Sequence, residues 1–149
     1  MNKQITIVLI SFFLLLGCTG TMPKFGVDND RLMQCPETPN CVNSQATDEK
    51  HFIQPILLIG TQQEAKNLLL KILKAWKRTK IIAVQGNYIR AEFKSKLFRF
   101  VDDVEFYFPA RETEEVIIHI RSASRVGHSD FGVNRKRIEE IRSKLKANT

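Results

Sequence analysis

Residues 81–94 read Ile81-Ile82-Ala83-Val84-Gln85-Gly86-Asn87-Tyr88-Ile89-Arg90-Ala91-Glu92-Phe93-Lys94. Two runs rich in β-branched and aromatic residues flank a Gly-Asn pair, the signal of a two-residue hairpin. In the second run Ile89, Ala91 and Phe93 alternate with Tyr88, Arg90, Glu92 and Lys94. One face is therefore apolar and the other polar. A Lys94-Ser95-Lys96 turn leads to a third strand over residues 97–108. A turn at 109–114 and a fourth strand over 115–122 follow. Connections this short predict an antiparallel meander.

Helical signals lie on both sides of the meander. Thr61-Gln62-Gln63-Glu64 fits a capping box, in which the Thr hydroxyl and the Glu carboxylate each satisfy a free backbone N–H. Ala65, Leu68, Leu69, Ile72, Leu73 and Trp76 then recur on one broad apolar face, which predicts a helix over 61–77. Ile138, Ile141 and Leu145 form a narrower stripe in a second helix over 133–146. Residues 51–59 are apolar but broken by Pro55, so they suit only an edge strand. The expected fold is α+β in two layers: a four- to five-stranded antiparallel meander packed with two helices.

The chain has 149 residues, enough for a single domain. Its 43% hydrophobic and 26% charged residues exclude a disordered or collagen-like chain. Residues 5–16 form an apolar run behind Lys3, too short to span a bilayer but right for a signal peptide. The run closes at Leu15-Leu16-Gly17-Cys18, which resembles a bacterial lipobox. The expected organisation is a lipoprotein signal peptide at 1–17, a tether at 18–33 starting from lipidated Cys18, and one domain at 34–149. Thr19 follows the Cys, in place of the Asp associated with inner-membrane retention. The expected location is the cell envelope, at an outer membrane facing the periplasm. Export leaves Cys35 and Cys41 in an oxidising compartment, where a disulfide is expected. A zinc site would need a second pair of ligands, which the chain does not supply.

The third strand places Asp102 in line with Phe98, Phe100, Val104, Phe106 and Phe108. Asp103 and Glu105 point the other way. A buried carboxylate needs a partner, and Arg125 is a candidate. This group could be a structural ion pair or a general acid–base site. Residues 121–134 form a polar segment with Arg121, Ser122, Ser124, Arg125, Asp130 and Asn134. Such a segment before a helix can cradle a phosphate or carboxylate. It can also satisfy itself, with Asp130 capping the helix and Asn134 turned inward.

Cys35-Pro36, Pro39-Asn40-Cys41-Val42, the run Phe100–Phe106, Arg121-Ser122-Ala123-Ser124-Arg125-Val126-Gly127 and the later Ser129, Asp130, Gly132, Asn134, Arg135, Arg137 and Ile138 resemble the domain of unknown function 1499 family. That family comprises uncharacterised bacterial lipoproteins and plastid proteins. The resemblance implies no catalytic residue and no cofactor. Asp102, Asp103, Glu105, Arg121, Ser122, Ser124, Arg125, Asp130, Asn134 and Arg137 stand as one candidate polar cluster, for binding or for structure.

Eight basic residues against three acidic ones between 121 and 146 would suit nucleic acid in the cytosol. Export points instead to anionic lipid, or to a phosphate or carboxylate ligand. No nucleophile elbow, metalloprotease helix or phosphate loop is present. The expected role is a lipid-anchored envelope module that binds an anionic ligand or a protein partner. The alternative is a small enzyme using Asp102 or Asp103 with Arg125.

Overall fold

The computed structural model describes residues 24–111 and 113–148. The expected signal peptide at 1–17 and the expected lipidation site at Cys18 lie outside the described residues. The elements run β1 (Val27–Asp28), β2 (Arg31–Leu32), β3 (Cys41–Asn43), β4 (Ile56–Ile59), α1 (Gln62–Ala75), β5 (Thr79–Gln85), β6 (Tyr88–Lys94), β7 (Val101–Tyr107), β8 (Glu115–Ser124) and α2 (Val133–Lys146). The fold is α+β, as the hydrophobic periods predict.

Strands β5 to β8 form the antiparallel meander, paired in sequence order. The sheet has six strands rather than four or five. Both additions pair with β8: Cys41–Asn43 with Ala123–Arg121, and Ile56–Ile59 with Ile118–Glu115. Ten residues give β8 the length to hold both. Pro55 sits just before β4, where its missing N–H costs the ladder nothing.

One face of the sheet carries Ile89, Ala91, Phe93, Val104, Phe106, Ile118 and Ile120, all buried. The helices cover it. Helix α1 starts at the expected capping box: Thr61 Oγ1 accepts from Glu64 N at 3.2 Å, and Thr61 N donates to Glu64 Oε2 at 2.9 Å. It buries Ala65, Leu69 and Leu73 and stops at Ala75, just before Arg78 enters the left-handed region at φ +60°. Helix α2 buries Ile138, Ile141 and Leu145. Three of its arginines are spent on structure. Arg135 donates to Phe52 O at 2.8 Å, Arg142 to Pro55 O and Gln54 O at 2.7 Å each, and Arg137 reaches the sheet. These guanidiniums hold α2 to the segment that precedes β4 and, through Arg137, to the sheet, and that accounts for half of its six basic residues.

The third strand begins at Val101, not at 97. Arg99 takes φ +56°, which breaks the alternation, and Ser95 closes the turn by bonding both backbone groups of Phe100. Phe98 and Phe100 are thus exposed and do not share the buried face of Asp102.

Residues 24–33 are not a free tether. Strands β1 and β2 form a small hairpin with Asn29 and Asp30 at positive φ. This strap lies on the second face of the sheet. Gly26 N donates to Glu105 Oε1 at 2.9 Å, Tyr107 donates its hydroxyl to Asp30 at 2.5 Å, and Leu32 is buried. The Cys35–Cys41 disulfide links the end of the strap to β3, with the two Cα atoms 5.7 Å apart.

Candidate functional site

Strand alternation divides the expected polar cluster in two. Asp102, Ser122 and Ser124 point to the helix face; Asp103, Glu105 and Arg121 point to the strap face. Strand β8 runs on to Ser124, two residues beyond its expected end, and this extends the alternation into the supposed loop.

On the helix face the hub is Asn134, fully buried at the start of α2. Its side-chain oxygen accepts from Ser122 Oγ at 2.5 Å and from Arg137 at 2.7 Å. Its amide donates to Asn40 O and Ser124 Oγ, each at 3.0 Å. Arg137 donates to Asp102 at 2.5 Å and lies over the Phe93 ring. Asp102 therefore pairs with Arg137 and not with Arg125. The reason is geometric: Ser124 is the direct cross-strand partner of Asp102, so Arg125, one residue on, emerges on the opposite side. Asp130 fills the start of α2, accepting from Gly132 N at 3.0 Å and Asn134 N at 2.7 Å. That helix terminus has its acceptor already, and these groups form a self-satisfied network.

The strap face is a row of charges. Arg125 grips Asp103 with two bonds, 2.6 and 2.9 Å, and also bonds Glu92. The Asp103 pair holds the Arg125 guanidinium well above its ordinary pKa, despite opposing desolvation. Arg90 lies 3.6 Å from Asp103 and beneath the Phe25 ring. Glu105 is fully buried and accepts from Gly26 N, from Tyr88 Oη at 2.7 Å and from Arg121 Nη1 at 2.7 Å. Burial, then the Glu105 charge, push the Tyr88 phenol far up. Burial also lowers His119, whose Nδ1 lies 3.2 Å from Ser44 Oγ.

Among the described residues this face carries two buried donors without a hydrogen bond, Arg90 Nη1, which at least faces Asp103 at 3.6 Å, and Arg121 Nε. Arg121 is buried, yet its Nε has no hydrogen-bond partner. Arg121 lines a cleft of about 470 Å³ between the strap, the disulfide loop and the end of β8. Lys24 and Arg125 line the same cleft, with Thr38, Asn40 and Ser124. Arg121 and Arg125 reach the cleft already paired with Glu105 and with Asp103 and Glu92, so Lys24 and the open Arg121 Nε are what it offers a small oxyanion. Among the described residues, no group of three or more His, Cys, Asp or Glu side chains could hold a metal ion.

The sequence had marked Arg121 and Arg125 but not Lys24, Tyr88, Arg90 or Glu92. The β6 alternation already set Tyr88, Arg90 and Glu92 on one face. Pairing through the hairpin then aligns Glu92 with Asp103 and Arg90 with Glu105. What the pattern withheld is that the strap covers that face.

A comparison with curated proteins finds no match. A solved structure from Thermus thermophilus, TTHA0849, is similar over 73% of this chain and 99% of its own, at 11% identity and a TM-score of 0.35. The family described as protein of unknown function (DUF1499) matches residues 31–145, which include both polar clusters and the disulfide. The chain belongs to that family.

Proposed function

We propose that this protein is a lipid-anchored envelope module that binds a small oxyanion, carboxylate or phosphate, in the strap-face cleft. The observation that carries the reading is the buried Arg121 Nε without an acceptor, on a cleft also lined by Lys24 and Arg125. A buried donor left unpaired costs about 1–3 kcal/mol, and a bound anion oxygen would recover that cost. The anchoring part rests on Leu15-Leu16-Gly17-Cys18, and the outer-membrane location on Thr19. Binding is favoured over acid–base chemistry because each carboxylate is already committed to an arginine: Asp102 to Arg137, Asp103 to Arg125 and Glu105 to Arg121.

The test is calorimetric titration of the purified protein with inorganic phosphate, with a dicarboxylate such as succinate, and with a neutral sugar. At least one anion should bind with heat, the sugar should not, and Lys24→Ala should weaken the anion. Lys24 is exposed, so its loss leaves the fold intact. Absence of heat with both anions would refute the cleft as an oxyanion site.

A further inference from the structure

The turns at one end of the sheet share a composition that the cleft does not use. Strand β6 ends at Lys94 and β7 begins at Val101; β8 ends at Ser124 and β3 begins at Cys41. The 95–100 turn and the 125–132 loop therefore lie at the same end, where Arg125 N donates to Val101 O. Leu97, Phe98 and Phe100 project from the first, with Phe98 69% exposed and stacked on Phe100 at 5.5 Å. Val126 and Phe131 project from the second, with Phe131 96% exposed and its backbone in the left-handed region. All three strongly exposed phenylalanines among the described residues are thus at this end. Lys94, Lys96 and Arg99 surround the first group, with no acidic residue between 94 and 100.

Apolar tips flanked by the cations of the 94–99 segment match the boundary between acyl chains and anionic headgroups. The phenylalanines and leucine enter the hydrocarbon edge, and the long cationic side chains remain at the headgroups. The path of the N-terminal chain identifies the occupant. The strap crosses the sheet from this end: Lys24 lines the cleft with Arg125–Gly127, Gly26 bonds Glu105 in mid-strand, and Asp30 meets Tyr107 near the far end. Five residues separate Lys24 from Cys18. Such a connection reaches about 20 Å at full extension. A lipid on Cys18 would hold this end of the domain close to the bilayer.

We propose that the 95–100 turn and the Phe131 loop dock on the surface of the bilayer that carries the N-terminal lipid. The cleft then opens beside that surface. The proposal rests on the anchoring part of the reading above and is independent of the anion.

The test uses the full mature protein in vesicles of phosphatidylethanolamine and phosphatidylglycerol. With Trp76→Phe as background, Phe98→Trp places the indole in the turn, and Ile59→Trp places it at the opposite end of the sheet, where Ile59 pairs with Glu115. Brominated acyl chains should quench most of the emission at position 98 and little at position 59. Weak, equal quenching at both positions would overturn the docking. Trp76 packs edge-on against Phe93, so a second measurement uses the wild-type chain. Under hydroxyl-radical labelling on vesicles, Phe98, Phe100 and Phe131 should be labelled several-fold less, relative to Leu57 and Ile59, than without vesicles. An unchanged ratio would overturn it too. Protection that grows with protein concentration without vesicles would assign the patch to a second copy and overturn it. Intact mass reads the anchor separately. A chain lacking acyl mass on Cys18 fails the anchoring reading, while quenching by added vesicles still decides the docking.

Discussion

Asp102 and Asp103 are adjacent in β7, yet their carboxylates are on opposite faces of the sheet, one held by Arg137 under α2 and the other by Arg125 beside the strap. Asp102 therefore fastens the helix layer to the central strand, and Asp103 fastens the segment that follows β8. A buried ion pair that loses one partner leaves the other charged and desolvated, and that outcome dominates the energetics here.

Asp102→Ala should destabilise the domain by about 3 kcal/mol, measured by urea unfolding. The stranded Arg137 is the cause. Adding Arg137→Met should recover part of the loss, because the buried charge goes with it. A double variant as unstable as the sum of the two singles would show that the pair does not couple.

Reduction of Cys35–Cys41, or Cys41→Ala, should cost about 2 kcal/mol by the loop-entropy estimate for so short a ring. The larger effect should be local. Amide exchange should rise in residues 24–36 and stay slow in β6 and β7, since the disulfide joins the strap to the sheet edge.

Asp130→Ala should cost about 1 kcal/mol, the usual loss of a helix N-terminal acceptor. It frees the N–H groups of Gly132 and Asn134. Asn134 is the hub of the helix-face network, so its side-chain amide resonance should shift. A silent Asn134 resonance would contradict the assignment of Asp130.

Stability should fall in alkali. The hydrogen bond to Asp30 and burial push the Tyr107 phenol up to about 12, and burial with Glu105 raises Tyr88 as well. A raised pKa in the fold means that the unfolded chain loses its proton first. The contribution is complete below pH 10 and disappears as pH climbs through about 12. Tyr107→Phe should flatten this alkaline slope. At the acid end, burial lowers His119, so its share of stability decreases as pH drops below the ordinary histidine value. An NMR titration should find His119 titrating below the ordinary histidine value.

Much of this architecture was legible in residue order. The Gly86-Asn87 hairpin, the capping box at Thr61 and the alternation of Ile89, Ala91 and Phe93 each carry a local rule strong enough to survive packing. The sequence failed where a long-range contact overrides such a rule. Phe98 and Phe100 read as core by period two, but Arg99 at positive φ ends that period. Asp102 sat in the right place with the wrong partner, because Arg137 lies one helix away and no spacing rule connects them. Residues 24–33 read as linker from their Gly, Asn and Asp content. Their order comes from Glu105, Tyr107 and the disulfide, all distant in sequence.

The central claim is that Arg121 Nε waits for an anion oxygen. The most direct measurement follows the arginine Nε–H resonances of labelled protein through titrations with phosphate and with succinate, using Arg121→Lys to assign the signal. The account predicts that the Arg121 signal moves downfield and saturates with at least one of them, and that Lys24→Ala weakens the titration. An Arg121 signal unmoved by either anion, while exposed arginines drift with ionic strength, would contradict it.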